Sequence, residues 1–329
     1  MTRRFRIACT ALFAALMIAL AFAPAATAQK YPDRPIRMVI PFAAGGSPDV
    51  IGRIIADEIT VLWGQPVIIE NRAGAGGNIA AEYVLEQPAD GYTIFLGTTG
   101  SMATNKALYR RLKFDPEVDF VPVSLLYASC NVLILSKNNP IRSLPDLIAE
   151  AKREPGKLTF GSPGVGTAGH LVAELFKFRT GTDLVHVPYR GQPQVLNDLL
   201  GGHLSMSFEA VGGVIPAITS GEVRGLATTC RERSKQLLDI PTFSELGISD
   251  FALEALALLA VNAKTPPDIL RQLNEAIVKI VALPKVADKI NGLGVQARTS
   301  TSAEARALLK DETARWRQVV EVAKIPLMD

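Results

Sequence analysis

The stretch Ile36-Arg37-Met38-Val39-Ile40-Pro41-Phe42-Ala43-Ala44-Gly45-Gly46-Ser47-Pro48-Asp49-Val50-Ile51-Gly52-Arg53 reads as strand, glycine turn and helix. Residues 36–40 are a short apolar run suited to a buried strand. Pro41 has no N–H to give to a sheet ladder, so the strand is expected to stop there. Gly45 and Gly46 tolerate the positive φ of a sharp reversal. Ser47 suits a helix cap, Pro48 the first helical position and Asp49 the first turn. Val50, Ile51, Ile54 and Ile55 then fall on one helical face. Such a turn aims unpaired backbone N–H groups past the strand's carboxyl end, where an anion can be held. The same pattern also serves as a plain βα turn in a parallel sheet.

The pattern recurs outward from there. Residues 67–70 read as a strand, Gly74-Ala75-Gly76-Gly77 as a glycine turn, and 78–85 as a helix with Asn78 as cap. Residues 92–96 read as a strand, and Gly97-Thr98-Thr99-Gly100-Ser101 as a turn before another helix. Three successive units of this kind imply a parallel sheet with helices on its faces. Residues 115–122 read as an irregular linker. Residues 123–135 are long and mostly apolar, broken by Ser129-Cys130-Asn131, and suit a strand passing from one domain into another. Ser143-Leu144-Pro145-Asp146 opens a helix with a capping box. A second series follows: strand 157–161, turn Ser162-Pro163-Gly164-Val165-Gly166-Thr167, helix 168–179, strand 184–187, helix 192–200, and strands 203–208 and 223–228. Residues 251–261 are a second long apolar run, read as the return strand. Thr265-Pro266-Pro267-Asp268 caps a helix, and residues 300–304 start the terminal one.

The first residues stand apart from this. Arg3, Arg4 and Arg6 precede the apolar run 7–22, and Ala26-Thr27-Ala28 fits a cleavage site before Gln29. This is the form of a secretory signal peptide over 1–28. Arg3-Arg4 leaves general and twin-arginine export both open. The remainder is long enough for two domains of ordinary size. Removing the leader's three arginines from 35 basic residues leaves 32, equal to the acidic count. A near-neutral chain without Lys/Arg runs carries no footprint for nucleic acid or anionic lipid. No later apolar stretch reaches the roughly 18 residues of a membrane span. Export leaves Cys130 and Cys230. An oxidising compartment permits their pairing, but two separate buried thiols is the favoured reading.

Catalytic and cofactor patterns fare poorly. Gly74-Ala75-Gly76-Gly77-Asn78-Ile79 has the strand-to-helix context of a dinucleotide turn, but Ile79 occupies the third glycine position. No G-x-S-x-G elbow is present. His170 and Glu174 lie one helical turn apart without a third metal ligand near them in sequence, and a hydrogen-bonded helix histidine is the expectation. His186 reads as structural, and His203 as exposed. No nucleophile–base pair or carboxylate pair is evident. Glycine and hydroxyl turns at strand carboxyl ends remain, in two domains, which is the arrangement of a binding module.

At this point the residues resemble a family, the Bug extracytoplasmic solute receptors of tripartite tricarboxylate transporters. The resemblance rests on Tyr31-Pro32-Asp33-Arg34-Pro35-Ile36, Pro41-Phe42-Ala43-Ala44-Gly45-Gly46-Ser47-Pro48-Asp49 and Glu70-Asn71-Arg72-Ala73-Gly74-Ala75-Gly76-Gly77. It continues through Asp90-Gly91-Tyr92-Thr93, Pro155-Gly156-Lys157-Leu158, His186-Val187-Pro188-Tyr189-Arg190-Gly191 and Ile240-Pro241-Thr242. It implies an α/β fold of the type II periplasmic binding protein kind, with two αβ domains and a hinged ligand cleft. Domain 1 is then expected over 29–128 and 254–329, and domain 2 over 129–253.

The resemblance also implies a periplasmic receptor, not an enzyme, that passes a small carboxylate to membrane permease subunits. That carboxylate is an amino acid, a di- or tricarboxylate, or an aromatic acid. Some relatives serve a sensor kinase instead, and a secreted hydrolase using the same cleft is the alternative from another class. No cofactor, metal or nucleic acid is implied, and a monomer is expected. The family's ligand contacts fall here on Phe42, Ala43, Ser47 and Asp49; on Thr98, Thr99, Gly100 and Ser101; and on Ser162, Gly164, Gly166, Thr167 and Glu209. Three positions depart from the family pattern: Ala44 replaces proline, Glu209 aspartate and Leu256 tryptophan. An ionised Glu209 is expected to repel a ligand carboxylate and to face a hydroxyl, amine or water instead.

Overall fold

In the computed structural model, residues 31–234, 236–249, 251–322 and 325–328 are described, so the expected leader over 1–28 lies outside the described residues. Two units separate, Met1–Asp33 and Arg34–Asp329, and the fold below is that of the second. It begins as strand β1 (Ile36–Ile40), helix α1 (Ser47–Trp63), β2 (Val67–Asn71), α2 (Asn78–Glu86) and β3 (Thr93–Thr98). β1 lies parallel between β2 and β3, as the three units imply. The capping differs from expectation. Gly46, not Ser47, is the N-cap of α1, and Gly77, not Asn78, that of α2. Pro48 fits because its missing N–H falls where no intrahelical partner exists.

The chain then runs through β4 (Phe120–Ser136), α3 (Leu144–Arg153), β5 (Thr159–Ser162), α4 (Ala168–Thr180), β6 (Val185–Pro188), α5 (Gln192–Leu200), β7 (Met206–Ala210), α6 (Val211–Thr219) and β8 (Val223–Thr228). It closes with β9 (Glu254–Asn262), α7 (Pro267–Val281), α8 (Pro284–Gly292), β10 (Gln296–Ala297) and α9 (Ser302–Val322). Ser143 caps α3 by accepting the Asp146 N–H, the expected box. The expected linker over 115–122 is instead a helical turn, Pro116–Asp119, capped by Asp115, and β4 starts directly after it. α6 and α8 carry no strong sequence signal. Gly212 and Pro216 weaken α6 as a helix, yet a Cβ on Gly212 would lie 1.9 Å from the Leu293 carbonyl oxygen. Close packing therefore requires glycine there, against helix propensity.

The sheet is mixed rather than parallel. Its strands run β2-β1-β3-β9-β4-β7-β5-β6, with β8 and β10 also on β4. β9 is antiparallel to both β3 and β4. β4 pairs with β9 from Phe120 opposite Asn262 to Cys130 opposite Glu254. From Asn131 onward it pairs with β7 and β8 instead. One strand therefore belongs to both halves of the sheet, and it changes partner between Cys130 and Asn131. Apolar cores lie on both sides of that change. Phe176, Phe208, Phe243 and Phe251 pack together in the second half, with neighbouring ring centroids 4.6–6.4 Å apart. Phe95 meets Phe120 at 5.5 Å in the first.

Cys130 and Cys230 are joined in a disulfide, which corrects the reading of two separate thiols. The sequence could not foresee that β4 and the residues after β8 run side by side; their Cα atoms are 5.0 Å apart. The bridge closes a loop of 100 residues at the point where β4 changes partner. Replacing both cysteines by serine is expected to lower unfolding free energy by about 2–5 kcal/mol. Equilibrium denaturation of the two proteins without reductant measures this, and equal midpoints would show that the bridge adds no stability.

Candidate ligand-binding site

Helices α1 and α4 both begin at the lining of one cavity of about 100 Å³. That is room for several waters or one small organic anion. The first turn contributes Phe42, Ala43, Gly46, Ser47 and Pro48, and the end of β3 contributes Thr98, Thr99 and Gly100. β4 adds Tyr127, Ser129 and Asn131, where it changes partner. Pro163, Thr167, Ala168 and Gly169 come from the turn into α4. Gln192, Phe208, Glu209, Ala210, Ala255 and Leu256 complete the wall. Of the residues expected at the ligand, Phe42, Ala43, Ser47, Thr98, Thr99, Gly100, Thr167 and Glu209 are therefore brought together.

Asp49, Ser101, Ser162, Gly164 and Gly166 are not in that lining, and each has a structural reason. Asp49 accepts the Gly45 N–H at 3.0 Å, Arg53 at 3.0 and 3.1 Å, and the Asn71 amide at 2.9 Å. Burial alone raises its pKa, but these hydrogen bonds outweigh burial and hold the carboxyl below its usual range. It braces the first turn. Ser101 Oγ accepts the Thr98 N–H at 3.2 Å and so ties down the second. There Gly100–Thr104 forms a π turn, a widening common near functional sites. Thr99 Oγ1 accepts the Leu256 N–H at 2.7 Å, fixing the end of β3 to β9.

The turn before α4 rests on a histidine pair. Ser162 Oγ lies 2.7 Å from His186 Nε2 and accepts the Gly164 N–H. His170 Nδ1 accepts the Gly166 N–H at 3.2 Å, as a hydrogen-bonded helix histidine should. The two imidazoles stack with centroids 4.2 Å apart. Burial, then His186, pushes His170 down to about 3; burial, then Lys177, pushes His186 down to about 4. Both rings are neutral at pH 7. Glu174, once a possible metal partner of His170, bonds Lys177 instead. Gly164 faces a neighbouring groove beside Gly76 and Tyr189.

Three buried polar atoms of the lining have no hydrogen-bond partner among the described residues: Ser47 Oγ, Asn131 Nδ2 and Glu209 Oε2. With Gly46 as the cap, the Ser47 hydroxyl is left over. Unpaired polar groups at this depth are rare in folded proteins and mark a place where something else binds. Sequence reasoning did not single out Asn131; its signal was the polar break Ser129-Cys130-Asn131 inside an apolar strand. Among the described residues no Lys, Arg, His or Asp lines the cavity. Burial pushes the Tyr127 phenol up, so it stays neutral. Burial also pushes the Glu209 carboxyl up to about 8, against the opposing pull of the Ser207 hydroxyl and the nearby Gln192 amide. The charge that would repel a ligand carboxylate is therefore disfavoured at neutral pH. What faces a ligand is a set of donors: hydroxyl, amide and the first amides of two helices.

Glycines let the turns of the two sheet halves touch. A Cβ on Gly76 would lie 2.5 Å from the Val165 carbonyl oxygen, and one on Gly166 2.4 Å from Asn105 Oδ1. A Cβ on Gly100 would lie 3.1 Å from the Gly166 carbonyl oxygen, and one on Gly191 3.3 Å from the Ala43 Cβ. Gly166 also has φ +80°, a conformation strained for other residues. Gly166→Val is therefore expected to hold the turns apart at Asn105 and weaken ligand binding about tenfold or more, with the fold retained. Calorimetry against circular dichroism checks this; unchanged affinity would remove the contact from the binding cycle. The histidine pair gives a second expectation. Neutral in the fold but titrating near 6.5 when unfolded, it contributes stability above that pH that is lost as pH falls towards about 4 and 3. Denaturation midpoints from pH 7 to 4 should fall more steeply for wild type than for His170→Gln.

Residues 51–325 match the family model described as tripartite tricarboxylate transporter family receptor. Protein BugT of Bordetella pertussis is 34% identical over 295 residues, covering 89% of this chain and 90% of that one. An R. palustris protein solved with adipate shares 34% identity with a TM-score of 0.88, over 91% of this chain and all (100%) of that one. Malate-bound MatC from Rhodopseudomonas palustris shares 29% with a TM-score of 0.84, over 88% and 100%. The fold is that of the periplasmic solute-binding proteins. The chain belongs to the tripartite tricarboxylate transporter receptor family.

Proposed function

We propose that this chain is an exported receptor that captures a small carboxylate in the cavity at the starts of α1 and α4 and hands it to the permease of a tripartite transporter. The observation that carries this is the meeting of Ser47 Oγ and Asn131 Nδ2 with two helix starts in one cavity; both atoms are buried and, among the described residues, neither has a partner and no cation lines the cavity. Each helix start contributes about 0.3–1 kcal/mol toward an anion, and each charge-assisted hydrogen bond roughly 1.5–3 kcal/mol. A few of each, less the ordering cost, reach the ~8 kcal/mol of micromolar binding. The adipate and malate bound by the two R. palustris relatives point to the same ligand class.

In this reading residues 1–28 are removed on export to the periplasm, and the receptor acts as a monomer. Residues 29–128 with 254–329, and residues 129–253, move as two lobes about the partner change in β4. Closure brings the glycine turns together and presents the liganded form to the permease, or to a sensor kinase. The hydrolase alternative has one point in its favour, the contact of Ser162 with His186. Three observations weigh against it. Ser162 is fully buried and lies outside the cavity lining. Burial and the Lys177 charge disfavour the imidazolium that a general base must become. The chain is therefore read as a receptor without catalysis.

A calorimetric panel of succinate, adipate, malate, an amino acid and an aromatic acid, with ester and amide turnover assays alongside, tests the proposal. Stoichiometric micromolar binding of at least one acid without turnover is expected, with Asn131→Ala weakening it about tenfold. Turnover of an ester or amide, or no acid bound, would overturn it.

A further inference from the structure

Glu209 is the one acidic side chain in the cavity lining. It is fully buried, one residue from the end of β7. Its Oε1 and the Gly161 carbonyl, 3.0 Å from Ser207 Oγ, compete for the single proton of the Ser207 hydroxyl. Its Oε2 has no partner among the described residues. Gln192 stands alongside, but its Nε2 donates to the Ala210 carbonyl at 3.2 Å.

The elements around it hold no compensating charge. β4 pairs with it through Val132, and the titratable residue of that strand in the lining is the neutral Tyr127. β5 and α6 carry no ionisable side chain. On α5, Asp198 accepts the Tyr189 hydroxyl at 2.6 Å. On α4, His170 is neutral, and Glu174 and Lys177 pair with each other. Arg179, the remaining charge of α4, lies in its last turn, far along the helix from the cavity. An ionised Glu209 would thus be a buried charge with one hydrogen bond to one oxygen, a costly state. A proton on Oε2 removes the charge and makes the unpartnered oxygen a donor.

We propose that Glu209 is a specificity residue of this cavity: as a neutral acid it donates its Oε2 proton to a carboxylate oxygen of the bound ligand, so that capture is linked to a proton. This rests on the carboxylate reading of the site. Two carboxyl groups at hydrogen-bond distance share one proton, because both cannot ionise there. The arrangement favours an acid over an amine at this wall. An ammonium group would need Glu209 ionised, and its affinity would rise with pH.

The test is calorimetry of the wild-type protein with succinate and adipate from pH 7 to 9.5, where ordinary carboxylic acids stay fully ionised. Each titration is run in two buffers of different ionisation enthalpy. With Glu209 titrating at about 8, affinity for the acid should fall about thirty-fold by pH 9.5. Near pH 8.5 the heat should depend on the buffer, showing proton uptake on binding. Glu209→Gln should flatten the pH profile and abolish the uptake. If that variant does not fold, the buffer dependence of wild type decides alone. Binding that is independent of pH, strengthens with pH, or takes up no proton would overturn the inference while leaving the receptor reading in place. If neither succinate nor adipate binds at pH 7, the same titrations use whichever acid of the panel above binds, and binding of that acid without proton uptake would overturn the inference; binding of no acid in the panel would overturn the carboxylate reading with it.

Discussion

The hydrogen-bonded ladder of β4 is the constraint on which the rest of this structure depends. Residues 120–130 pair with β9 at nine positions, across two register shifts, residues 131–136 pair with β7 and β8, and the strand is continuous between them. A strand cannot be displaced sideways without breaking its ladder, so both halves of the sheet are registered to one rail. The partner change at Cys130 and Asn131 then sits beside the carboxyl ends of β3 and β7. Turns from both halves meet there because the strands that feed them are held in register. The Cys130–Cys230 disulfide lies at the same point.

Among the described residues, no arginine or lysine lines the cavity at that point. Guanidinium groups near the first turn are engaged elsewhere: Arg53 with Asp49, Arg72 with Glu70. The lining offers partial charges instead, from helix amides, the unpartnered Ser47 hydroxyl and the unpartnered Asn131 carboxamide N–H. Fixed dipoles in a small low-dielectric cavity act strongly on a ligand's charge, whereas a buried cation would carry a large desolvation penalty when no ligand is present. The glycines serve the same end. Without a Cβ, the turns at Gly76, Gly100 and Gly166 approach to backbone contact and shield the cavity.

Most of the fold was legible because periodicity and turn chemistry are local. The run 36–53 announced β1, its glycine turn and α1, and the units around 67–86 and 92–101 followed the same rule. Antiparallel insertion of β9 between β3 and β4 was not legible, since pairing partners far apart in sequence leave no local mark. α6 was hidden by Gly212 and Pro216, residues kept for packing against Leu293. At the site, the expected turns reach the cavity lining, but some of their side chains hold the turns instead. Asp49, Ser101 and Ser162 look like ligand donors in sequence because the same oxygen atoms that hold a ligand also hold a turn. Asn131 went unmarked because its value lies in having no partner, which is a property of the folded surroundings alone. Glu209 was read as ionised, whereas burial pushes its carboxyl up to about 8.

In the proposed mode a carboxylate is held here by dipoles and neutral donors alone. The position of the bound acid in a co-crystal structure tests it most directly. The expected result places a ligand carboxylate within hydrogen-bond distance of Ser47 Oγ or Asn131 Nδ2 and of the first amides of α1 or α4. A ligand carboxylate paired with an arginine or lysine, or an acid bound outside this cavity, would contradict the account.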